Sequence, residues 1–343
     1  MKRFSVLVLL CGLVGCSGKS STESGVVLFR YNQGSESTEQ RERGFLETLR
    51  KEFPQIPVLS DNQYLGTTEP MAQDRAQQLL LKYQGRVTGV FAVCEPNANG
   101  VLGALQQTGE AGKVKFIGFD SGTHVVSALK EGQMQGIVLQ DPVRMGYLAV
   151  KTMVDHLEGK TVEKRVNTGE AVATPENMEE PEIKRLLFPE QYDDSHALNV
   201  ANPKYTIAVI PKGTTHEFWK SVHYGAVQAA KELGNVQVEW KGPQTEADRD
   251  QQIDLVQSYV TKKISGICLA PLDARSLVDP VKQAVAAGIP VVIYDSALED
   301  ESQIVSYVAT DNVRGGALAA RRMAEVLGTA APTADKTAQT TKP

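Results

Sequence analysis

The sequence predicts an α/β protein built from two parallel sheets, and three observations lead to this fold class. Short apolar, β-branched runs alternate with helical patterns of roughly 10 to 18 residues, which is typical of parallel βα units. The alternation occurs in two series, which are separated by a segment rich in charge and proline. The chain has 343 residues, and this length favours two domains of roughly 150 residues each.

The amino-terminal residues carry the pattern of a secretory signal. A basic start precedes an apolar stretch at residues 6–14, which is too short to span a bilayer. This stretch ends in the letters LVGC, which resemble the bacterial lipobox, whose cysteine receives the lipid. We therefore expect residues 1–15 to be a signal peptide, Cys16 to be the lipid anchor and residues 16–24 to form a tether. A plain signal with an incidental cysteine is the alternative.

Composition excludes several classes of function. The formal charge of −5 offers no basic surface to a phosphate backbone, so nucleic-acid binding is disfavoured. Four cysteines in this length do not make a disulfide framework, and no two of them lie at metal-ligand spacing. We expect no metal and no cofactor.

The first series occupies residues 25–140. The clearest helix spans residues 37–53, where the apolar side chains fall on one face. Nearly continuous apolar runs predict strands that are covered on both faces. These runs are residues 26–31, 58–61, 89–94, 114–119 and 136–139.

The second series begins at Tyr205, after a predicted linker at residues 176–204 that contains several prolines. A last helix is predicted to begin at the N-cap Asp311 and to end before Gly328. Residues 329–343 are polar and rich in Ala and Thr, so we expect a disordered tail. The predicted strands are residues 206–210, 236–240, 266–270, 290–294 and 304–308, with helices near 216–233, 246–263 and 274–287.

Candidate site residues follow the strands of both series, because parallel sheets place functional loops at the carboxyl ends of their strands. Carboxylates and amides that accept paired hydroxyls, an arginine fork and flat aromatic faces are the chemistry of sugar recognition. The candidates are Lys212, His216, Phe218, Trp219, Asp295 and Ser296 in the second series, and Arg41, Tyr64, Cys94, Asp120 and Gln140 in the first.

Six segments together resemble a type I periplasmic binding protein of the ribose-binding group, over nearly the whole mature chain. The segments are IAVIPKGTTHEFWKSVHYGA, IPVVIYDS, YVATDN, RERGF, IGFDSG and VLQDP. The resemblance implies two doubly wound lobes of parallel sheet, joined by a hinge that the chain crosses three times. The crossings are expected near Gln140, Gly169 and Thr310.

The order of the segments departs from the family, and we therefore expect a circularly permuted chain. The stretch equivalent to residues 205–327 comes first in the family, and the stretch equivalent to 25–174 follows it. A gene fragment or the remnant of a tandem array is the alternative. The resemblance implies one lobe of residues 25–140, which 169–175 and 311–328 complete. It implies a second lobe of residues 205–309, on which the hinge-crossing segment 141–168 packs. Residues 176–204 would then connect the two positions that are the chain ends in the family.

The resemblance also implies roles for the second-series candidates. Phe218 and Trp219 would sandwich a ligand ring, although Trp219 could instead be a core residue of its helix. Asp295 would accept two sugar hydroxyls, and Ser296 stands where relatives often carry arginine. Lys212 and His216 come from the same loop as the two aromatic residues.

The first-series candidates complete the implied site. Arg41 would donate hydrogen bonds to the ring oxygen or the anomeric oxygen of a sugar; the alternative is an arginine that is exposed to solvent on its helix. Asp120 and Gln140 match the family closely. Cys94 stands where the family usually has asparagine. Either this site recognises a ligand with a different pattern of hydroxyls, or Glu95 makes the contact instead. Tyr64 would add a further aromatic side chain to the site, unless the alignment slips by one residue to Leu65.

We expect a binding protein and not an enzyme. Asp120 and Asp295 could act as the acid and base of a glycosidase, but accepting hydroxyls explains both carboxylates. His216 and His223 lack a third metal ligand at useful spacing. The expected function is a lipid-anchored, monomeric receptor in the periplasm or at the cell surface, which delivers a monosaccharide such as ribose to an ABC permease. The alternative is a receptor that instructs a membrane sensor kinase.

Overall fold

The computed structural model describes residues 23–188 and 199–329. The predicted signal peptide, Cys16 and the tail beyond residue 329 lie outside the described residues. None of the helices in the described ranges combines the length and the apolar character that crossing a membrane would require.

The first part of the chain runs from β1 to α6. Its elements are β1 Gly25–Arg30, α1 Glu36–Glu52, β2 Val58–Tyr64, α2 Glu69–Lys82, β3 Val87–Ala92, α3 Glu95–Gln107, β4 Lys115–Phe119, α4 Thr123–Lys130, β5 Gly136–Gln140, α5 Pro142–Leu157, β6 Arg165–Asn167, β7 Glu170–Ala173 and α6 Pro181–Leu187. The second part contains β8 Tyr205–Ile210, α7 Glu217–Leu233, β9 Val236–Trp240, α8 Arg249–Lys262, β10 Gly266–Leu269, α9 Val278–Ala286, β11 Val291–Tyr294, β12 Ser306–Ala309 and α10 Asn312–Val326.

The strands form two six-stranded sheets, and the predicted fold class is confirmed. The first sheet has the order β2-β1-β3-β4-β5-β7, and the second has the order β6-β12-β11-β10-β8-β9. Neighbouring strands are parallel, except that β7 runs antiparallel to β5. We call the half around the first sheet the first lobe and the half around the second sheet the second lobe.

Strand β1 shows why the buried strands read as continuous apolar runs. Residues Val26, Val27, Leu28 and Phe29 are all fully buried. Val27 and Phe29 pack into one apolar cluster, whereas Val26 and Leu28 pack into another on the opposite face of the sheet. A strand covered by helices on both faces has no polar side to alternate with.

Three connections between the lobes lie next to one another, and the chain passes from the first lobe to the second once more, between α6 and β8. Strand β5 leads from the first sheet into α5, which packs on α7 of the second lobe, and β6 leads back from the second sheet to β7. Strand β12 leads from the second sheet into α10, which packs on α1 of the first lobe. The Thr168 and Thr310 hydroxyls lie 3.3 Å apart, which links two of the crossings.

Both crossing helices begin at an aspartate N-cap. The Asp141 carboxylate accepts a hydrogen bond from the backbone N–H of Arg144 at 2.9 Å. The Asp311 carboxylate accepts in the same way from Arg314, also at 2.9 Å. Such caps satisfy a backbone donor that the first helical turn leaves free, so the chain can leave a strand and enter a helix at once.

Each lobe contains a helix pair whose backbones touch through glycines. A Cβ atom on Gly225 of α7 would lie 1.9 Å from the carbonyl oxygen of Val143 in α5. A Cβ atom on Gly316 of α10 would lie 2.0 Å from the carbonyl oxygen of Arg41 in α1. No side chain fits between the helices at these points, so glycine is required for the crossing helices to dock.

The segment predicted as a linker differs from that prediction in its first part. Residues 176–188 fold onto the first lobe, where Met178 and Leu187 join its apolar core. The Ser121 hydroxyl donates to the carbonyl oxygen of Leu187. Helix α6 forms despite the prolines because Pro181 occupies its first position, where the missing N–H costs no hydrogen bond.

We expect the substitution Gly225→Ala to destabilise the protein by about 1 to 3 kcal/mol, because the added methyl forces α5 and α7 apart. Thermal melting of the purified variant measures this. The control is Gly103→Ala in α3, where the new Cβ meets only the side chain of Gln73, at 3.0 Å. That variant should melt within a few degrees of the unsubstituted protein. Equal destabilisation by both would contradict the assigned helix contact.

Candidate functional site

A cavity lies between the lobes, at the carboxyl ends of strands from both sheets. It encloses about 340 Å³, part of which is open to solvent. The first lobe lines it with Tyr31, Ser35, Ser37, Thr38, Arg41, Cys94, Glu95, Pro96, Asp120 and Gln140, and the second lobe with Lys212, His216, Phe218, Trp219, Glu246 and Asp295. Nine of the eleven residues predicted from the sequence are among them, and their role in binding a ligand stays a prediction.

Asp120 and Asp295 hold equivalent places in the two lobes. Each directly follows a central strand, β4 or β11, and each has a left-handed backbone, with φ of 70° and 63°. Each also extends its sheet by one more hydrogen bond, since Asp120 N donates to Val138 O and Asp295 N donates to Val308 O. Aspartate tolerates this conformation better than most residues, and the turn directs both carboxylates to the cavity that they line.

Arg41 is buried, with 2% of its surface exposed, and is therefore not a solvated helix arginine. Its Nε donates to Asn312 Oδ1 at 2.8 Å, and its Nη1 lies 3.6 Å from Asp120 Oδ2. Its guanidinium also lies 3.9 Å from the centre of the Phe119 ring. These contacts within the first lobe hold the arginine side chain in place without a ligand.

Gln140 joins this network at the hinge. Its Nε2 donates to Asp120 Oδ1 at 2.7 Å, while its Oε1 is buried without a hydrogen-bond partner. Burial raises the pKa of Asp120, although the charge of Arg41 and the bond from Gln140 oppose the rise. The unpaired Oε1 is an acceptor that a ligand hydroxyl could satisfy.

Lys212 holds the lobes together at the cavity wall. Its Nζ lies 2.7 Å from Asp295 Oδ2 and donates to Ser296 Oγ at 2.6 Å within the second lobe. It also donates to Ser37 Oγ at 3.0 Å and to Ser35 Oγ at 3.4 Å in the first lobe. A lysine has three protons to donate, so this ammonium is engaged by the protein itself.

A second ion pair holds Trp219, which together with Phe218 forms what we call the aromatic wall of the cavity. The Trp219 Nε1 donates to Glu246 Oε1 at 2.7 Å, and His216 Nδ1 lies 3.2 Å from the same oxygen. Burial acts to lower the pKa of His216, but the bond and charge of Glu246 outweigh it and raise the pKa to about 9. Burial of Glu246 is likewise outweighed, mainly by His216, and its pKa falls to about 2. Phe218 packs edge-on against Trp219, with ring centres 4.8 Å apart. The two rings contact each other, so the prediction that they sandwich a ligand ring between them is wrong.

Glu95 reaches across the cleft. Its Oε1 accepts a hydrogen bond from Glu217 N at 3.2 Å, and its Oε2 accepts one from Phe218 N at 3.1 Å. Its own backbone N–H donates to Asp120 Oδ2 at 3.2 Å. Burial raises the pKa of Glu95 to about 7, against the opposing effect of the His216 charge.

Two predicted residues do not line the cavity. Ser296 lies behind it, where its hydroxyl accepts from Lys212 and from the backbone N–H of Ser37 at 3.1 Å. Tyr64 lies on β2, an edge strand of the first sheet, with the Arg30 guanidinium 5.7 Å from its ring centre. Leu65, the alternative to Tyr64, is part of the first lobe's core. The prediction of a further aromatic side chain from this strand is therefore wrong.

The sequence reasoning missed Glu246, Tyr31 and three hydroxyl residues of the first lobe. Glu246 lies in a polar loop after the edge strand β9, without an apolar or glycine pattern to mark it. Tyr31 and the hydroxyl residues lie just after β1 or in the first turns of α1, at the strand end where polar site residues are expected. The hydroxyl residues are Ser35, Ser37 and Thr38.

The cavity suits an uncharged, hydroxyl-rich solute. Each cation that lines it already faces a carboxylate of the protein, so none is left over for an anionic ligand. Within residues 23–188 and 199–329, no three His, Cys, Asp or Glu side chains are grouped to hold a metal ion. An aromatic pair beside several oxygen acceptors matches the apolar faces and polar edges of a sugar ring.

A family model and individual proteins of known function or structure are similar to this chain. A family model described as a periplasmic binding protein domain matches residues 15–161 and 207–338. The chain is similar to the D-allose-binding periplasmic protein of Escherichia coli (strain K12), with 32% identity over 127 residues, which are 35% of this chain and 40% of the relative. It is also similar to the ribose import binding protein RbsB of Bacillus subtilis (strain 168), with 28% identity over 138 residues, or 40% of this chain and 44% of the relative.

The chain thus spans about two-fifths of the length of these curated relatives. Among solved structures, GanP, a glucose-galactose binding protein from Geobacillus stearothermophilus, is similar with a TM-score of 0.55 and 12% identity. The match covers 90% of this chain and 93% of that one. At this identity the likeness concerns the fold alone.

We expect Lys212→Met to destabilise the protein by about 3 to 5 kcal/mol, because it leaves the Asp295 carboxylate buried without its cation. Urea unfolding of the purified variant measures the loss, followed by the fluorescence of Trp219 and Trp240, which both lie in the second lobe. The double variant Lys212→Met with Asp295→Asn removes both charges, and asparagine keeps the left-handed turn. It should recover a large part of the lost stability. If the double variant is no more stable than the single one, the ion pair does not have the role described.

Proposed function

The chain belongs to the type I periplasmic binding proteins of the ribose and sugar group, and we propose that it captures a neutral monosaccharide by closing its lobes over it. Ribose or a related sugar is the proposed ligand. The observation that carries the proposal is the cavity, in which Asp120 from one lobe and Asp295 from the other face the same space.

The contacts support a binding role for both lobes. Asp295 and Asp120 would accept ligand hydroxyls from opposite sides, with Gln140 Oε1 as a further acceptor at the hinge. Phe218 and Trp219, which pack edge-on against each other, would together offer an apolar surface to the ring. A ligand that touches both lobes at once stabilises the closed form relative to the open one. Binding of this kind needs no bond to be made or broken, so the proposal is a receptor and not an enzyme.

The relatives support the proposed ligand class, and membership of the family supports the proposed partner. The proteins named above are an allose-binding protein and a ribose import binding protein. By analogy, this chain would present its sugar to an ABC permease as a monomer. Residues 1–15 would direct it out of the cytoplasm, and the lipid on Cys16 would hold it at the membrane surface, in the periplasm or on the cell exterior.

We also infer that the two halves of the chain are exchanged relative to the family. The family match falls into two segments, 15–161 and 207–338, with a gap between them. The alignments with the two curated relatives named above cover only 35 to 44% of either chain, as a linear alignment does when halves are swapped. Residues 176–204, which lie between β7 and β8 in the chain, would then join the family's original ends.

Ligand identity can be tested on the purified protein. Mass spectrometry of small molecules released on denaturation should find a monosaccharide. A thermal-shift panel of ribose, allose and arabinose should raise the melting temperature with at least one sugar, whereas ribose 5-phosphate and glucuronate should not. Small-angle scattering should show a more compact particle with the active sugar. Binding of the anionic compounds alone would overturn the proposal.

We expect Trp219→Ala to weaken sugar binding by more than about 1 kcal/mol, because the variant loses a buried aromatic contact. Isothermal calorimetry with the sugar that gives the largest thermal shift measures this. The matched control is Trp240→Ala, since Trp240 stacks on His223, with ring centres 4.7 Å apart, and does not line the cavity. Unchanged affinity in Trp219→Ala would reject the role of that ring.

A further inference from the structure

Helix α7 begins without a side-chain cap of its own. Its N-cap residue, His216, makes no capping hydrogen bond, since its imidazole pairs with Glu246. The first backbone N–H groups of a helix have no partner within the helix and need one elsewhere. The two aromatic residues of the cavity, Phe218 and Trp219, lie in this first turn.

The missing cap comes from the opposite lobe. Glu95 is the first residue of α3 in the first lobe, and its two carboxylate oxygens accept separately from Glu217 N and Phe218 N of α7. The same residue donates its backbone N–H to Asp120. One residue therefore connects a carboxylate of the proposed site with the helix that carries the aromatic wall.

We propose that Glu95 is a positioning residue, which caps α7 across the cleft when the lobes close and thereby sets Phe218 and Trp219 against the ligand. This inference rests on the proposed function. The two hydrogen bonds join different lobes, so hinge opening separates their partners. Glu246 holds Trp219 within the second lobe, and closure adds the cap that completes the first turn of α7.

The charges around Glu95 give the proposal a pH dependence. The groups that face it are His216 from the second lobe, and Asp120 and Tyr31 from the first. Burial in the closed cleft raises the pKa of Glu95 to about 7 from its ordinary 4.5. In an open cleft the carboxylate is in water, so closure takes up a proton between these two values. Closure is therefore favoured as the pH falls through about 7 and disfavoured as it rises.

The first experiment compares affinities by calorimetry, using whichever panel sugar binds the unsubstituted protein most tightly. Glu95→Ala should bind at least about fivefold more weakly, because two N–H groups lose their acceptor. Glu95→Gln keeps the shape and one acceptor oxygen and should recover part of the loss. The control is Glu69→Ala, at the exposed start of α2, where glutamate also precedes proline at the start of a helix of the first lobe.

The second experiment reads the cap directly. Residue-resolved hydrogen exchange in the presence of the sugar should show slow exchange at the Glu217 and Phe218 amides, and faster exchange in Glu95→Ala. The Arg144 amide, which Asp141 caps within α5, should stay unchanged as an internal reference. A role in stability alone would lower the melting temperature without changing these two amides selectively.

The third readout is the pH profile. Affinity of the unsubstituted protein should rise by up to about tenfold from pH 8.5 to pH 6, and Glu95→Gln should show a flatter profile. If the protein binds the sugar and Glu95→Ala matches it in affinity and amide exchange, this inference fails while the proposed function stands. If the protein binds none of the sugars, both fail.

Discussion

The closed cleft depends on the pairing of buried charge. An ionised group that loses water without gaining a partner costs several kcal/mol, so each buried cation at this cleft lies beside a carboxylate. The pairing leaves the cavity without a free positive charge, and it favours an uncharged ligand over a phosphate or a carboxylate. Glu95 is the remaining acid, and it is held by backbone N–H groups instead of a cation. The pairs are Arg41 with Asp120, Lys212 with Asp295, and His216 with Glu246.

The two lobes solve the same structural problem in the same way. Each places an aspartate with a left-handed backbone after a central strand, and each receives a crossing helix that begins at an aspartate cap and docks through glycine. Because each lobe is complete around its own sheet, the order in which the chain builds them is free to change, provided that the three crossings keep their places. This equivalence is the physical basis for the proposed exchange of halves.

Sequence patterns predict those parts of the molecule that depend on local burial. Strand β1 is readable because helices cover both of its faces, whereas β2 continues through Asp61, Asn62 and Gln63 to Tyr64, beyond its predicted end, since an edge strand tolerates polar residues. Helix α6 has seven residues, too few to show a helical period. The candidate residues at strand ends follow from topology. The cap from Glu95 and the pair of Glu246 with His216 do not, because their partners come from distant parts of the chain.

If the ligand is the proposed sugar, its selection would depend on the acceptors that the protein leaves open. Gln140 Oε1 is buried without a partner, so a ligand that offers no hydroxyl there leaves the acceptor unpaired, at a cost of about 1 to 3 kcal/mol. At Cys94, by contrast, burial raises the pKa well above the ordinary value, and a neutral thiol is a weak donor and acceptor. Under the proposed function, a missing ligand hydroxyl would therefore cost more affinity beside Gln140 than beside Cys94.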